Sequence, residues 1–167
     1  MTIEEAIKTA MEYETRIRDI YREATAAVDD GVGKRIFETL CNDEQHHIDY
    51  LQYKLKQLQD TGIIVPEKLD SAIPSQEVIN REAEKVKSLV AKDFLGIKRQ
   101  MLSKALEVEI ETSDFYRQMV NELPVEGRKL FERFLEIENN HIKTVQFELD
   151  YLSKTGYWFD IKEFDME

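Results

Sequence analysis

Glu44-Gln-His-His47 returns 94 residues later as Glu138-Asn-Asn-His141, each copy on an apolar helical stripe. Each is preceded about 30 residues upstream by one glutamate on a stripe of its own, Glu14 and Glu109. Buried carboxylates and imidazoles are costly unless their faces meet around something that compensates them. Two Glu-x-x-His pairs with two single glutamates are the donor set of a dinuclear metal site inside a four-helix bundle.

The repeat extends beyond these residues. Gly33-Lys-Arg-Ile-Phe-Glu38 matches Gly127-Arg-Lys-Leu-Phe-Glu132 at the same offset, and Ile48, Gln52, Tyr53, Leu55 and Leu58 match Ile142, Gln146, Phe147, Leu149 and Leu152. Upstream the offset is 95, with Ala10, Glu12, Glu14 and Tyr21 falling on Ala105, Glu107, Glu109 and Tyr116. One residue was gained or lost at a turn. A unit of about 60 residues in only two copies is no solenoid. It reads as two helical hairpins that share one bundle, with the repeat ending at Ile63.

Helical periodicity places the elements. The first helix spans roughly 2 to 29, capped by Thr2, with Ile3, Ala6, Ile7, Ala10, Ile17, Ile20, Tyr21, Ala24 and Val28 on one face. Asp29-Asp-Gly-Val-Gly33 breaks it, and a second helix, about 34 to 59, carries Ile36, Phe37, Leu40, Cys41, Ile48, Leu51, Leu55 and Leu58 as far as Thr61-Gly62. The third, roughly 94 to 121, carries Ile97, Met101, Leu102, Ala105, Val108, Phe115, Tyr116 and Met119, and Pro124 and Gly127 mark its turn. The fourth, about 126 to 154, carries Leu130, Phe131, Phe134, Leu135, Ile142, Val145, Leu149 and Leu152. Between the hairpins, Pro66 and Pro74 punctuate a connection with a short helix starting near Ser75. A connection that long can run back along a bundle, which a short turn cannot. The chain therefore reads as all-α and one domain: first hairpin 1–59, crossover 60–93, second hairpin 94–154, and an aromatic tail 155–167 packed over one end.

A turn near residue 30 leaves Glu14 and His47 each about 16 residues away, and a turn near 125 does the same for Glu109 and His141. At about 1.5 Å per residue both pairs lie some 24 Å along their hairpins, in one layer. Each Glu-x-x-His pair projects from a single helical face. Taken singly, a buried Glu or His is as readily a hydrogen-bonded structural group. Two hairpins making the same costly choice at the same depth argue for a metal site with Glu14, Glu44, His47, Glu109, Glu138 and His141 as ligands. Two divalent ions would neutralise four carboxylates, and mixed N/O donors suit iron or manganese, with zinc able to accept the same set. Tyr21 and Tyr116, seven residues after the single glutamates, either hydrogen-bond a carboxylate ligand or a bound oxidant, or are core groups with satisfied hydroxyls. Glu107, Glu111, Asp114, Glu132, Glu136, Asp43 and His46 fall off the stripes and are expected at the surface.

The formal charge of −11 argues against nucleic acid or an anionic membrane as a partner. No stretch reaches a membrane span and the start lacks a signal-peptide pattern, so a cytoplasmic protein is expected. Cys41, the only cysteine, rules out an internal disulfide and any cysteine-rich metal site, and its place on the stripe suits a small buried hydrophobe.

On Glu14 with Tyr21, Glu44-x-x-His47, Glu109 with Phe115-Tyr116, and Glu138-x-x-His141, the chain resembles the ferritin-like superfamily, and within it the diiron domain of rubrerythrin-like proteins. The resemblance implies a ferritin-like bundle with two iron ions that oxidises Fe(II) and reduces hydrogen peroxide or O₂. It also implies a homodimer or higher homo-oligomer. Rubrerythrins proper add a rubredoxin domain with two cysteine pairs, absent here, so electrons would come from a separate donor protein or from ferrous iron itself. They also carry a further glutamate one turn after the third-helix ligand, where this chain has Thr112. Iron storage or delivery with ferroxidase chemistry, and a noncatalytic metal-stabilised bundle that binds a partner through its tail, are the alternatives.

Overall fold

The computed structural model describes residues 1–65, 69–73, 75–86 and 96–160, and every regular element in them is an α-helix. In order these are α1 (Ile3–Ala27), α2 (Gly31–Thr61), α3 (Gln76–Val86), α4 (Gly96–Glu122) and α5 (Val125–Thr155). Helix α1 packs on α2, α4 on α5, and α1 on α4, while α3 lies against α5. Breaks of a few residues after α1 and α4 leave no choice but antiparallel hairpins. Pro66, Pro74, the last residues of the expected crossover, the expected first residues 94 and 95 of the third long helix, and the end of the tail from 161 lie outside the described residues.

Local chemistry explains where the helices start and stop. Thr2 caps α1 in a reciprocal capping box with Glu5. The break before α2 is shorter than the glycines suggest, and the helix begins at Gly31 rather than near 34. The reason is Asp30, whose carboxylate accepts from the N–H groups of Val32 and Gly33, at 2.9 and 3.0 Å, and so stabilises a first turn that contains both glycines. Gly33 is required for another reason: a Cβ there would stand 2.8 Å from Trp158 Nε1 and 2.8 Å from Val28 Cγ1.

Two apolar clusters fill the bundle. One joins Ile17, Tyr21, Phe37, Leu40, Leu102, Val145 and Trp158, and the other joins Ile7, Leu51, Tyr116, Phe131 and Phe134. The residues between them in every long helix are the Glu and His positions, so the polar layer is sealed on both sides. Trp158 is 8% exposed and meets Phe37 edge-on at 5.4 Å, while Phe159 packs on Phe147 and Tyr151 at 5.2 and 5.3 Å. The stripe of the third long helix overreaches at its start, because Ile97, in the first turn of α4, is 56% exposed. Cys41 is half-buried against the first cluster as a free cysteine.

Candidate metal centre

Helices α1, α2, α4 and α5 deliver Glu14, Glu44, His47, Glu109, Glu138 and His141 to the layer between the two clusters, and each is 0% exposed. Their donor atoms form two overlapping groups, within each of which they lie within 4.8 Å of one another. One is Glu14, Glu44, His47 and Glu138, the other Glu44, Glu109, Glu138 and His141. Glu44 and Glu138 belong to both. His47 Nδ1 lies 3.5 Å from Glu14 and 3.3 Å from Glu44, and His141 Nδ1 lies 2.6 Å from Glu44 and 3.4 Å from Glu109. The imidazoles stack at 5.5 Å, and Phe134 walls off His47 edge-on at 5.6 Å.

The tyrosines cross between hairpins. Tyr21 of α1 donates to Glu109 Oε1 of α4 at 2.5 Å, and Tyr116 of α4 donates to Glu14 Oε1 of α1. Each single glutamate thus has one oxygen held by a phenol of the other hairpin, while its Oε2 has no hydrogen-bond partner. Burial, reinforced by the carboxylate charges, pushes both phenols well above their ordinary value, so both remain donors.

Asp43 was expected at the surface and is instead 4% exposed. Its Oδ2 lies 2.7 Å from His141 Nε2 and 3.5 Å from His47 Nε2, so one carboxylate of α2 faces the outer nitrogens of both imidazoles. Ser71 Oγ donates to it at 2.7 Å and the Ala72 N–H at 3.0 Å. The segment 69–73 therefore covers and fixes Asp43, which is why periodicity within α2 did not reveal it. Burial would raise its carboxyl, but the His141 hydrogen bond, the histidine charges and the Ala72 N–H hold it well below the usual carboxylate range. An ionised acceptor on Nε2 leaves the Nδ1 lone pair of His141 aimed into the cluster. The other off-stripe residues, His46, Glu107, Glu111, Asp114, Glu132 and Glu136, are exposed as expected. Thr112 is buried, and its hydroxyl donates to Val108 O of its own helix at 2.8 Å, offering no further carboxylate.

Electrostatics show how strongly this layer attracts positive charge. Burial and the neighbouring carboxylates push Glu44 and Glu138 well above the usual range. Burial would raise Glu14 too, but the adjoining Glu44 and His47 and the Tyr116 hydrogen bond lower it to about 2. Burial disfavours protonated imidazole, yet the adjoining carboxylates of Glu14 and Glu44 raise His47 to about 10. Left to its own residues, the cluster gathers protons.

Divalent cations fit the same demand. Both oxygens of Glu44 and Glu138, Glu14 Oε2, Glu109 Oε2, the Nδ1 atoms of both histidines and His47 Nε2 are buried and make no well-aligned hydrogen bond, close as several of them lie to one another. Buried polar atoms are rarely left so, and here they converge on one place. Hard oxygen donors with two imidazoles suit iron or manganese.

An all-helical bundle with four carboxylates and two imidazoles in one core layer has the architecture of the ferritin-like proteins. The profile of the family described as Rubrerythrin matches residues 5–149, and the chain belongs to that family, whose members bind diiron centres. No curated protein and no solved structure matches the chain. Among the described residues, no helix is long and apolar enough to cross a membrane.

Proposed function

We propose that the chain is a diiron oxidoreductase in which Glu14, Glu44, His47, Glu109, Glu138 and His141 hold two iron ions and hydrogen peroxide or O₂ is the oxidant. The observation that carries this reading is the membership of Glu44 and Glu138 in both donor groups. Glu14 and His47 complete one position, Glu109 and His141 the other.

When bound, two ferrous ions supply one electron each, the two that peroxide needs to reach water, at coordination positions the six side chains leave open. The chain's own part is to hold the donors still and dry. Tyr21 and Tyr116 take one oxygen of Glu109 and Glu14, so each of these carboxylates presents a single oxygen inward. Asp43 sets the tautomer and orientation of His141. Phe131, Phe134 and Tyr116 exclude water from one side, Phe37 and Leu40 from the other. In this reading a separate donor protein or Fe(II) itself restores the reduced state, and the chain works as a cytoplasmic homo-oligomer.

Anaerobic loading with ferrous iron, then rapid mixing with peroxide, tests the proposal. Ferric absorbance should grow in the near ultraviolet as peroxide is consumed, in proportion to bound iron. Peroxide and O₂ consumption that is indifferent to iron, or redox-inert zinc in protein isolated from its own cell, would overturn it.

A further inference from the structure

The two imidazoles of the centre have a second side. His47 and His141 turn Nδ1 toward the glutamates, and their Nε2 atoms point the other way, onto Asp43. For His141 the outer nitrogen has its acceptor, Asp43 Oδ2 at 2.7 Å. His47 lacks one: its Nε2 is buried, stands 3.5 Å from the same oxygen and makes no hydrogen bond. A histidine that served the inner ions alone would carry its proton on this nitrogen, and a buried N–H without an acceptor is destabilising.

A cation satisfies it. Asp43 Oδ2, His47 Nε2 and His141 Nε2 lie within 4.8 Å of one another on buried side chains. Donors bound to one ion at about 2.0–2.2 Å stand about 3.0–3.5 Å apart, and the 2.7 and 3.5 Å separations from Oδ2 are close to that range. The Ala72 N–H holds Asp43 Oδ1 at 3.0 Å, which leaves Oδ2 turned to the imidazoles. Outward the position gives on to the surface: Asp43 shares the wall of an open concavity with Thr39, Asn42, His46, Asp70 and Ser71. No lysine or arginine lines it among the described residues, and Ser71 Oγ, 2.7 Å from Oδ2, is at hand as a further oxygen donor. Neutral imidazole has one lone pair, so each histidine serves an inner ion through Nδ1 or an outer one through Nε2, never both. With Nε2 engaged, the Nδ1 protons face Glu44, 2.6 Å from His141 and 3.3 Å from His47.

We propose a third divalent-cation position, made by Asp43 Oδ2, His47 Nε2 and His141 Nε2, which takes ions from this concavity before the inner layer fills and competes with that layer for the two imidazoles. It rests on the reading of the inner centre only in sharing these histidines. Imidazole nitrogen NMR tells the two apart, because zinc shifts the signal of the nitrogen it binds. Glu138→Ala removes a carboxylate common to both inner groups. In that chain Zn(II) at equilibrium should move the Nε2 signals of His47 and His141 saturably at one ion per chain, and adding Asp43→Asn should remove the response. Glu138→Gln serves should the first variant not fold. This ion has an open side and should be lost on desalting. In the parent chain excess zinc should instead move both Nδ1 signals, at two ions per chain. Asp70→Asn and His46→Ala, at the exposed mouth, should each slow Co(II) uptake about two- to threefold in stopped flow at low salt and leave the final two ions in place. No saturation at millimolar zinc, zinc on Nδ1 in the Glu138→Ala chain, an Nε2 response that survives Asp43→Asn, or uptake indifferent to both mouth residues would overturn the proposal. A parent chain that never loads Nδ1, beside an intact Nε2 response in the variant, would overturn the inner centre alone.

Discussion

Asp43 in the first hairpin and Ile137 in the second stand at equivalent positions, each one residue before its Glu-x-x-His pair, and both are buried, at 4% and 0% exposure. A carboxylate in one copy answers to a hydrocarbon in the other. The difference follows from the stacked imidazoles, whose outer nitrogens both face Asp43. Asp43 hydrogen-bonds His141 and lies 3.5 Å from His47 Nε2, whereas the Ile137 position belongs to an apolar cluster, where a second carboxylate would be a buried charge.

The largest effects should come from the carboxylates common to both donor groups. Glu44→Ala and Glu138→Ala should each lose both ions, whereas Glu14→Ala and Glu109→Ala, each confined to one group, should lose one; metal analysis after loading and desalting separates the outcomes. Next comes the asymmetric pair. Asp43→Asn should weaken metal binding by roughly 10- to 100-fold by calorimetric titration. Ile137→Val should cost about 0.5–1.5 kcal/mol of stability and leave metal affinity alone. Equal metal affinities for the two variants would erase the contrast.

Glu148 gives the second hairpin a pH dependence of its own. Burial pushes the Glu148 carboxyl well above its ordinary value of 4.5, so the folded chain keeps a proton that the unfolded chain releases. Its contribution to stability is therefore full below about 4.5 and is lost as pH rises toward the folded value. Glu148→Gln stays neutral and can still accept the Phe159 N–H. Its stability relative to the parent should improve steadily above pH 4.5 in denaturant titrations, and parallel curves would contradict this. The glycines should show the smallest contrast. At Gly33 an added Cβ meets the indole and Val28 at 2.8 Å, but at Gly127 the nearest atom, Ile3 Cγ1, is 3.0 Å away. Gly33→Ala should cost about 1–3 kcal/mol through overpacking, with Gly127→Ala closer to neutral in thermal melts.

What the sequence made legible follows from its periods. The four long helices have an apolar stripe, and equal distances from two turns bring Glu14 with His47 and Glu109 with His141 to one height without knowledge of any contact. The same reasoning misplaced Asp43, because its burial comes from Ser71 and Ala72, in a segment without a period. The signal available was its place directly before a Glu-x-x-His pair. It misplaced Ile97 because a stripe says nothing of where the packed core ends. It also stopped the repeat too early: Thr61-Gly-Ile-Ile-Val65 and Thr155-Gly-Tyr-Trp-Phe159 share only two identities, and the equivalence lies in backbone and cap hydrogen bonds. The cross-hairpin exchange of Tyr21 and Tyr116 was hidden likewise, since spacing along one helix does not say which neighbour a phenol reaches.

The central claim is that two halves of one chain build a single two-ion site around shared carboxylates. An anomalous difference map at the iron edge, from crystals of ferrous-loaded protein, tests it most directly. The account predicts two peaks with Glu44 and Glu138 each reaching both, Glu14 and His47 on one, and Glu109 and His141 on the other. A single peak, or peaks away from this layer, would contradict it.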